Sequence, residues 1–306
     1  MAFEVSVCMI TYNHAEYVRK AIRGVFNQSL DFKIEFVISD DCSTDNTVKE
    51  VEEEIKNSPS NVKVNFIKRN SNVGVNLNFI NALKSCQGKY IAICEGDDYW
   101  VDINKIKIQY EFLKRNPDFV LSFHDGYIAN GLNLTKKMIL NSSTKKDLNF
   151  NNLITVGYTI PTLTVFFRNV IIEDLPKELY EVTNCDSFLF IYISQFGKIH
   201  FHKEIVDVVH VYHYGGIWSM KNKLYQSIES YKTYKLTYQF FKDKRIYYLL
   251  NNFATSIIIY SIKNKKYWLA IKYYFKNILN ILVYPTILKI FLKKHVVYIS
   301  KFLHLR

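Results

Sequence analysis

The 306-residue chain lacks cysteine pairs of any recognisable spacing. Its five cysteines, Cys8, Cys42, Cys86, Cys94 and Cys185, are odd in number and contain no C-x-x-C. That excludes a disulfide framework and a thiolate zinc site, and it fits a reducing compartment. Long apolar runs are also missing. The uncharged apolar run 277–288 holds two asparagines and a proline, and it falls short of the ~20 residues a spanning helix needs. The opening residues have no basic segment and place Glu4 among apolar neighbours, so no signal peptide is expected. No G-x-G-x-x-G follows the first apolar run and G-x-x-x-x-G-K-[ST] occurs nowhere, which removes the dinucleotide and P-loop readings. There is no internal repeat.

Acids are absent after Asp243. The formal net charge of +12 is therefore unevenly placed. Residues 221–306 carry seventeen Lys/Arg against Glu229 and Asp243, whereas the first 220 residues carry 23 basic and 26 acidic side chains. A slightly acidic body without a nucleic-acid motif argues against a polyanion groove. The basicity belongs to an aromatic tail, in which Tyr, Phe, Ile and Leu alternate with Lys over 267–275 and 287–302. Such segments form helices with an apolar and a cationic face, suited to an anionic bilayer surface. The alternative is an ordinary helical bundle, or a contact between copies, with its lysines in water. The hydrophobic share of 49% is enough for a sizeable core.

Over the first 125 residues, strand-like and helix-like patterns alternate. Strands are predicted at 5–11, 34–39, 62–68, 90–94 and 120–123. Helices are predicted at 16–27, 44–56 (Ser43 or Thr44 as N-cap), 76–86 and 105–115. This order predicts an α/β domain with a mainly parallel sheet and helices on both faces. Residues 126–160 read as loops with short elements, 187–196 as a helix, and 198–202 and 205–212 as strands. Long helices follow after residue 219. The domain reading is 1–219, with a donor half at 1–125 and an acceptor half at 126–219, followed by a helical region at 220–306.

Ligands in open α/β sheets bind beyond the carboxyl ends of the strands. Three polar clusters fall at such ends: Thr11-Tyr12-Asn13, Asp40-Asp41 and Glu95-Gly96-Asp97-Asp98. Adjacent carboxylates repel unless a cation or hydrogen-bond donors hold them. The turn at 95–98 therefore reads as a site for a hard divalent cation or as a solvated Asx-type turn, and the Tyr99-Trp100 that follows favours the former.

These runs resemble family 2 glycosyltransferases of the GT-A fold over roughly residues 4–219. The matching segments are 5–11 with Tyr12-Asn13, Ile38-Ser39-Asp40-Asp41-Cys42-Ser43-Thr44-Asp45-Asn46-Thr47, Asn72-Val73-Gly74, Gly88-Lys89-Tyr90-Ile91 and Glu95-Gly96-Asp97-Asp98-Tyr99-Trp100. Cys42 stands where glycine is usual, so the turn after Asp41 is expected to avoid a conformation that only glycine tolerates. The resemblance implies an inverting transferase that uses a nucleotide-diphosphate sugar, UDP-linked, with Mn²⁺ or Mg²⁺. It implies Tyr12 beside the base, Asp41 accepting from a uracil-like ring, Asp97 on ribose and Asp98 on the metal. Thr11 and Asn13 are weaker donor candidates, since strand-end polar residues also cap helices.

Asn184-Cys185-Asp186-Ser187 resembles the family stretch that supplies the catalytic base, and Asp186 also reads as a plain N-cap. His213, before Gly215-Gly216, resembles the family's element near metal and diphosphate. Val211 stands where a basic residue is usual, with His210 one place earlier. Thr159-Ile160-Pro161-Thr162 resembles an acceptor-side segment and receives no role. The implied partners are a nucleotide-sugar donor and a polysaccharide or lipid-linked oligosaccharide acceptor, without nucleic acid; self-association stays open. The implied location is cytoplasmic, peripheral on the inner face of the membrane. A donor-binding module without activity is the competing reading, and the presence of Asp41, Asp97, Asp98 and Asp186 together argues against it.

Overall fold

The structure, a computed structural model, describes residues 3–131, 133–157, 160–169, 175–216, 218 and 220–288. Thr159, Ile217, Ser219 and the stretch 289–306, with Lys289, Lys293, Lys294 and Lys301, lie outside the described residues. Two compact units are present. The first is 1–150 with 158–180 and 189–220, and the second is 151–157, 181–188 and 221–306.

In the first unit β1 (Val5–Thr11), α1 (Val18–Phe26), β2 (Ile34–Asp40), α2 (Thr47–Glu54), β3 (Val62–Lys68), α3 (Val75–Ser85) and β4 (Tyr90–Ile93) follow in order. Then come β5 (Tyr99–Trp100), α4 (Lys105–Arg115), β6 (Phe119–His124), β7 (Tyr127–Asn130), β8 (Asn133–Met138) and α5 (Phe150–Val156), the last continuing into the second unit. β9 (Phe166–Arg168), α6 (Cys185–Ser194), β10 (Lys198–His202) and β11 (Val208–Tyr212) follow. A seven-stranded sheet runs β10-β6-β9-β4-β1-β2-β3. Its pairs are parallel except those made by β9, which is antiparallel to both β4 and β6.

The parallel core explains the sequence pattern. Every residue of β2 and β4 is buried, which is why β4 reads as an unbroken apolar run and β2 as a largely apolar one, its buried Glu35 accepting from the Ser6 hydroxyl at 2.6 Å and from Gln87 N–H at 2.7 Å. One sheet face sends Val7, Met9, Phe36 and Ile38 into a core shared with Ala21, Ile22 and Val25 of α1 and with Ile106 and Leu113 of α4. Each such fully buried aliphatic side chain contributes about 1.5–3 kcal/mol. The opposite face is covered by α3, whose Phe79, Ile80 and Leu83 are buried. Gly24 of α1 is forced by close packing, because a Cβ there would sit 2.7 Å from the Trp100 carbonyl oxygen.

Three details differ from the sequence reading. β5 and β9 were not predicted, since two and three residues are too short to show a period. The predicted loop region 126–160 contains the β7–β8 hairpin. Neither Ser43 nor Thr44 caps α2. The N-cap is Asn46, whose side chain makes no capping bond; one residue earlier Asp45 Oδ1 accepts from the Thr47 N–H at 2.9 Å, while Ser43 serves the site described below.

A four-stranded sheet, β5-β11-β7-β8, completes the first unit. The second unit contains α7 (Lys223–Phe241), α8 (Tyr247–Lys263) and α9 (Tyr267–Val283). The Asn222 side chain caps α7 by accepting from Tyr225 N–H at 2.9 Å. Among the described residues no helix is long and apolar enough to cross a membrane.

Candidate active site

Because β1, β2 and β4 are parallel and in register, Thr11 pairs with Asp40 and Cys8 with Ile93. The three strand-end clusters therefore share one edge of the sheet. The first two interlock. The Asp40 carboxylate accepts from Ser43 N–H at 2.9 Å and from the Ser43 hydroxyl. Ser43 Oγ accepts from Asn13 N–H at 2.9 Å, and Asn13 Oδ1 accepts from Thr44 N–H at 2.8 Å. Asn13 itself sits at φ 57°, a left-handed conformation in which Asn is among the best-tolerated side chains. Asn13 thus holds the turn of the second cluster. Tyr12 is exposed and Thr11 is buried.

Cys42 corrects an expectation. Its φ is 64°, so the turn adopts the left-handed geometry that glycine favours, and the thiol-bearing residue accommodates it. Next to it Asp41 is buried, and its two oxygens accept from Val73 and Gly74 N–H, each at 2.9 Å. That pair of bonds fastens the 72–74 loop to the end of β2.

The third cluster splits its two carboxylates between different tasks. β5 pairs antiparallel with β11, aligning Tyr99 with Val209. This brings His210 and Val211 against Asp98, which is 2% exposed. His210 Nδ1 lies 3.0 Å from both Asp98 oxygens, and Asp98 Oδ1 accepts from Val211 N–H at 2.8 Å. Burial raises the Asp98 carboxyl above the usual carboxylate range, against the opposing pull of His210.

Asp97 points the other way. Its Oδ2 is 2.9 Å from His213 Nε2 and 3.7 Å from His14 Nε2. Burial works to raise it, but the charges of His14, His213 and His210 outweigh burial and hold it below the usual range. His213, in turn, is raised by its hydrogen bond to Asp97. The His213 ring also lies 4.7 Å from that of Tyr17, and its Nδ1 accepts from Gly215 N–H at 3.2 Å. With Nδ1 accepting, the ring proton sits on Nε2 and faces Asp97; holding a cation through Nε2 would require that proton to move to Nδ1, at the expense of the Gly215 bond.

His14, Asp97 and His213 each offer one ligand atom within 4.8 Å of the others. One carboxylate and two imidazoles suit a first-row divalent ion such as Mn²⁺ better than Mg²⁺, which prefers an all-oxygen shell. Two buried atoms here have no hydrogen-bond partner among the described residues, Thr11 Oγ1 and His14 Nδ1. Both lie against Gly96, where an added Cβ would meet them at 2.9 and 3.1 Å. Buried polar atoms left open beside a ligand set mark a place that a polar ligand completes. The residues present therefore fit a divalent cation, with Asp97 turned into the cluster and Asp98 turned away from it.

Asp186 lies in the first turn of α6, in the part that belongs to the second unit. Its Oδ1 accepts from Ser187 N–H at 2.7 Å. Within that unit, burial first and the Asp186 charge second raise the Tyr234 phenol. His14 and His210 were not selected as site residues from sequence. The signal for His14 was its position, one residue beyond the polar end of β1.

The model of the glycosyl transferase family 2 matches residues 6–175. Uncharacterized proteins of Mycobacterium bovis and Mycobacterium tuberculosis are 30% identical over 214 residues, which make up 70% of this chain and 60% of theirs. The chain thus spans less than two thirds of the length of these relatives. The crystal structure of Staphylococcus aureus TarS 1-349 in complex with UDP superposes with a TM-score of 0.58 at 18% identity, covering 91% of this chain and 89% of that one. A mannosyltransferase from Pyrobaculum calidifontis in complex with GDP-Man and Mn²⁺ gives 0.56 at 14% identity, covering 90% and 84%. Both likenesses describe the fold. On the family match and this architecture, the chain belongs to glycosyl transferase family 2 and has the GT-A fold.

Proposed function

We infer that the protein transfers a glycosyl group, with inversion, from a nucleotide-diphosphate sugar to a hydroxyl of a polysaccharide or lipid-linked oligosaccharide. The observation that carries this reading is the Asp97–His213–His14 cluster at the same sheet edge as Tyr12 and Asp41. Asp97, His213 and His14 would hold the divalent cation, which when bound neutralises charge on the leaving diphosphate. Tyr12, exposed at the end of β1, offers a ring face to the base. Asp41 spends one lone pair of each oxygen on the 72–74 loop and keeps others to accept from a uracil-type N–H. Asp98 supports the site through His210 and the β5–β11 pairing.

Asp186 is assigned the general base. It takes the proton of the acceptor hydroxyl as that oxygen bonds to the anomeric carbon. The bond from that carbon to the diphosphate oxygen breaks, and its electron pair leaves with the nucleoside diphosphate. Two features support UDP as the donor nucleotide: the run 38–47 with Asp41, which departs from the family pattern at Cys42, and a related fold that accommodates UDP.

Thermal-shift screening of UDP- and GDP-sugars, each with and without Mn²⁺, tests this reading. A ligand present at 100 times its Kd stabilises by about 2.7 kcal/mol. The expected result is a Mn²⁺-dependent rise in Tm with a UDP-sugar. No shift with any sugar nucleotide would refute the donor assignment.

A further inference from the structure

One helix of the second unit, α9, carries most of its aliphatic surface outward. α9 turns Ala270, Tyr273, Asn277 and Asn280 inward, and Asn277 Nδ2 donates to Thr255 Oγ1 of α8 at 3.1 Å. α7 and α8 bury Thr233, Thr237, Asn251 and Thr255 beside the apolar Tyr234, Leu249, Leu250 and Ile257. A surface helix of a protein surrounded by water puts amides outside and aliphatic side chains inside. α9 does the opposite.

Its outward stripe is Trp268, Ile271, Phe275, Leu279 and Leu282, exposed by 86, 46, 59, 59 and 69%. The spacing of three, four, four and three residues keeps all five within a narrow arc of the helix. Lys272 is exposed along one flank of this stripe, with the half-buried Lys276 beyond it, and Lys263, Lys265 and Lys266 precede the helix. From Lys244 to the last residue the sequence has twelve Lys/Arg and no Asp or Glu.

We propose that α9 is an interfacial membrane-docking helix, which lays its Trp268–Leu282 stripe into the headgroup boundary of an anionic bilayer. The stripe supplies apolar area that water penalises, and Trp268 supplies the amphipathic ring that favours the interface. The flanking lysines supply the attraction to anionic headgroups, which falls off within a Debye length. The complete lack of acids on this part of the chain selects lipid over a second copy of the same surface. Two copies would face each other lysine to lysine, and like charges in contact disfavour pairing. The arrangement also serves the proposed reaction when the acceptor is lipid-linked, because such a substrate resides at that surface. Docking itself does not depend on catalysis.

Flotation of the full-length protein with phosphatidylcholine vesicles, with and without 30 mol% phosphatidylglycerol, tests the proposal without any sugar nucleotide. Binding is expected only with the anionic vesicles, and it should weaken in high salt. The emission of Trp268 should shift to the blue and be quenched by brominated acyl chains, and the Trp268→Phe variant should lack that component. The Lys266→Gln/Lys272→Gln pair, both exposed, should lose about fivefold in affinity per lysine, while Lys49→Gln/Lys56→Gln on the first unit should bind as wild type. Phe275→Ser/Leu279→Ser should lower affinity by roughly tenfold or more. These side chains are exposed, so the variant should keep its circular dichroism and Tm. Failure to float with anionic vesicles at low salt would overturn the proposal. So would equal loss in both lysine pairs, or a dimer in sedimentation that Phe275→Ser/Leu279→Ser dissociates while wild type ignores vesicles.

Discussion

Replacing Asp97 and Asp98 one at a time separates two roles that adjacent carboxylates could share. Asp98→Ala deletes a buried acceptor that serves Val211 N–H at 2.8 Å and faces His210 Nδ1 at 3.0 Å. A buried backbone N–H left without an acceptor costs about 1–3 kcal/mol. His210 loses its counter-charge, and the small cavity adds to the deficit. We expect a total of about 3 kcal/mol, the lower end for breaking a buried pair. For a unit of this size that lowers Tm by roughly 6–12 °C. Asp97→Ala removes a partly exposed group that faces His213 and His14, and it also relieves repulsion next to Asp98. Its effect on stability should lie within about 1 kcal/mol of zero, as is common when a functional carboxylate is removed.

Mn²⁺ binding should respond the other way round. Titration of Mn²⁺ by calorimetry or electron paramagnetic resonance should show binding lost in Asp97→Ala. In Asp98→Ala, binding should persist below its lowered Tm. The reasoning is refuted if Asp98→Ala keeps the wild-type Tm and loses Mn²⁺ while Asp97→Ala retains it.

Asp186→Asn preserves shape and most of the capping bond to Ser187. Turnover should fall about 10²–10⁴-fold with donor affinity unchanged, and a fall in Tm at normal turnover would assign Asp186 to capping only. Lys105 is fully buried, donates to Gln109 Oε1 at 2.8 Å and lies 4.2 Å from the Trp100 ring centroid. Burial pushes its amine down to about 7. Between that value and the unfolded pKa near ~10.4, the unfolded chain holds the extra proton, so this group makes stability rise with pH by about 1.4 kcal/mol per unit at most. Urea denaturation between pH 7 and 8 should show that slope in wild type relative to Lys105→Met, and parallel curves would refute it. That window lies below the pH at which the buried thiols Cys86 and Cys94, both raised by burial, add an opposite slope. At the left-handed Cys42, Cys42→Gly should be close to neutral and Cys42→Val should cost at least ~1 kcal/mol, measured by chemical denaturation.

The sequence by itself determined the strand–helix order of the first 125 residues. Parallel strands buried on both faces read as largely apolar runs, and the polar clusters at 11–13, 40–41 and 95–98 then have one edge to occupy. It also determined the charge of the tail, because counting needs no coordinates. Cys42 shows the limit of local rules: glycine's absence suggested an avoided conformation, but Asp40, bonded across the turn to Ser43, and Asp41, bonded to the 72–74 loop, hold the chain in it. Which of two adjacent aspartates faces His213 and His14 was not legible. The choice depends on β11, which arrives from more than a hundred residues away and sets His210 and Val211 against Asp98. His14 became a ligand candidate only when the 95–98 turn folded beside it. The inside-out build of α9 was likewise decided by packing, since a helix rich in both Asn and Leu can bury either face until Thr255 of α8 supplies a partner for Asn277. Sequence fixes which groups exist and their local period; contacts between distant segments decide which of those groups are spent on the fold and which remain for a ligand.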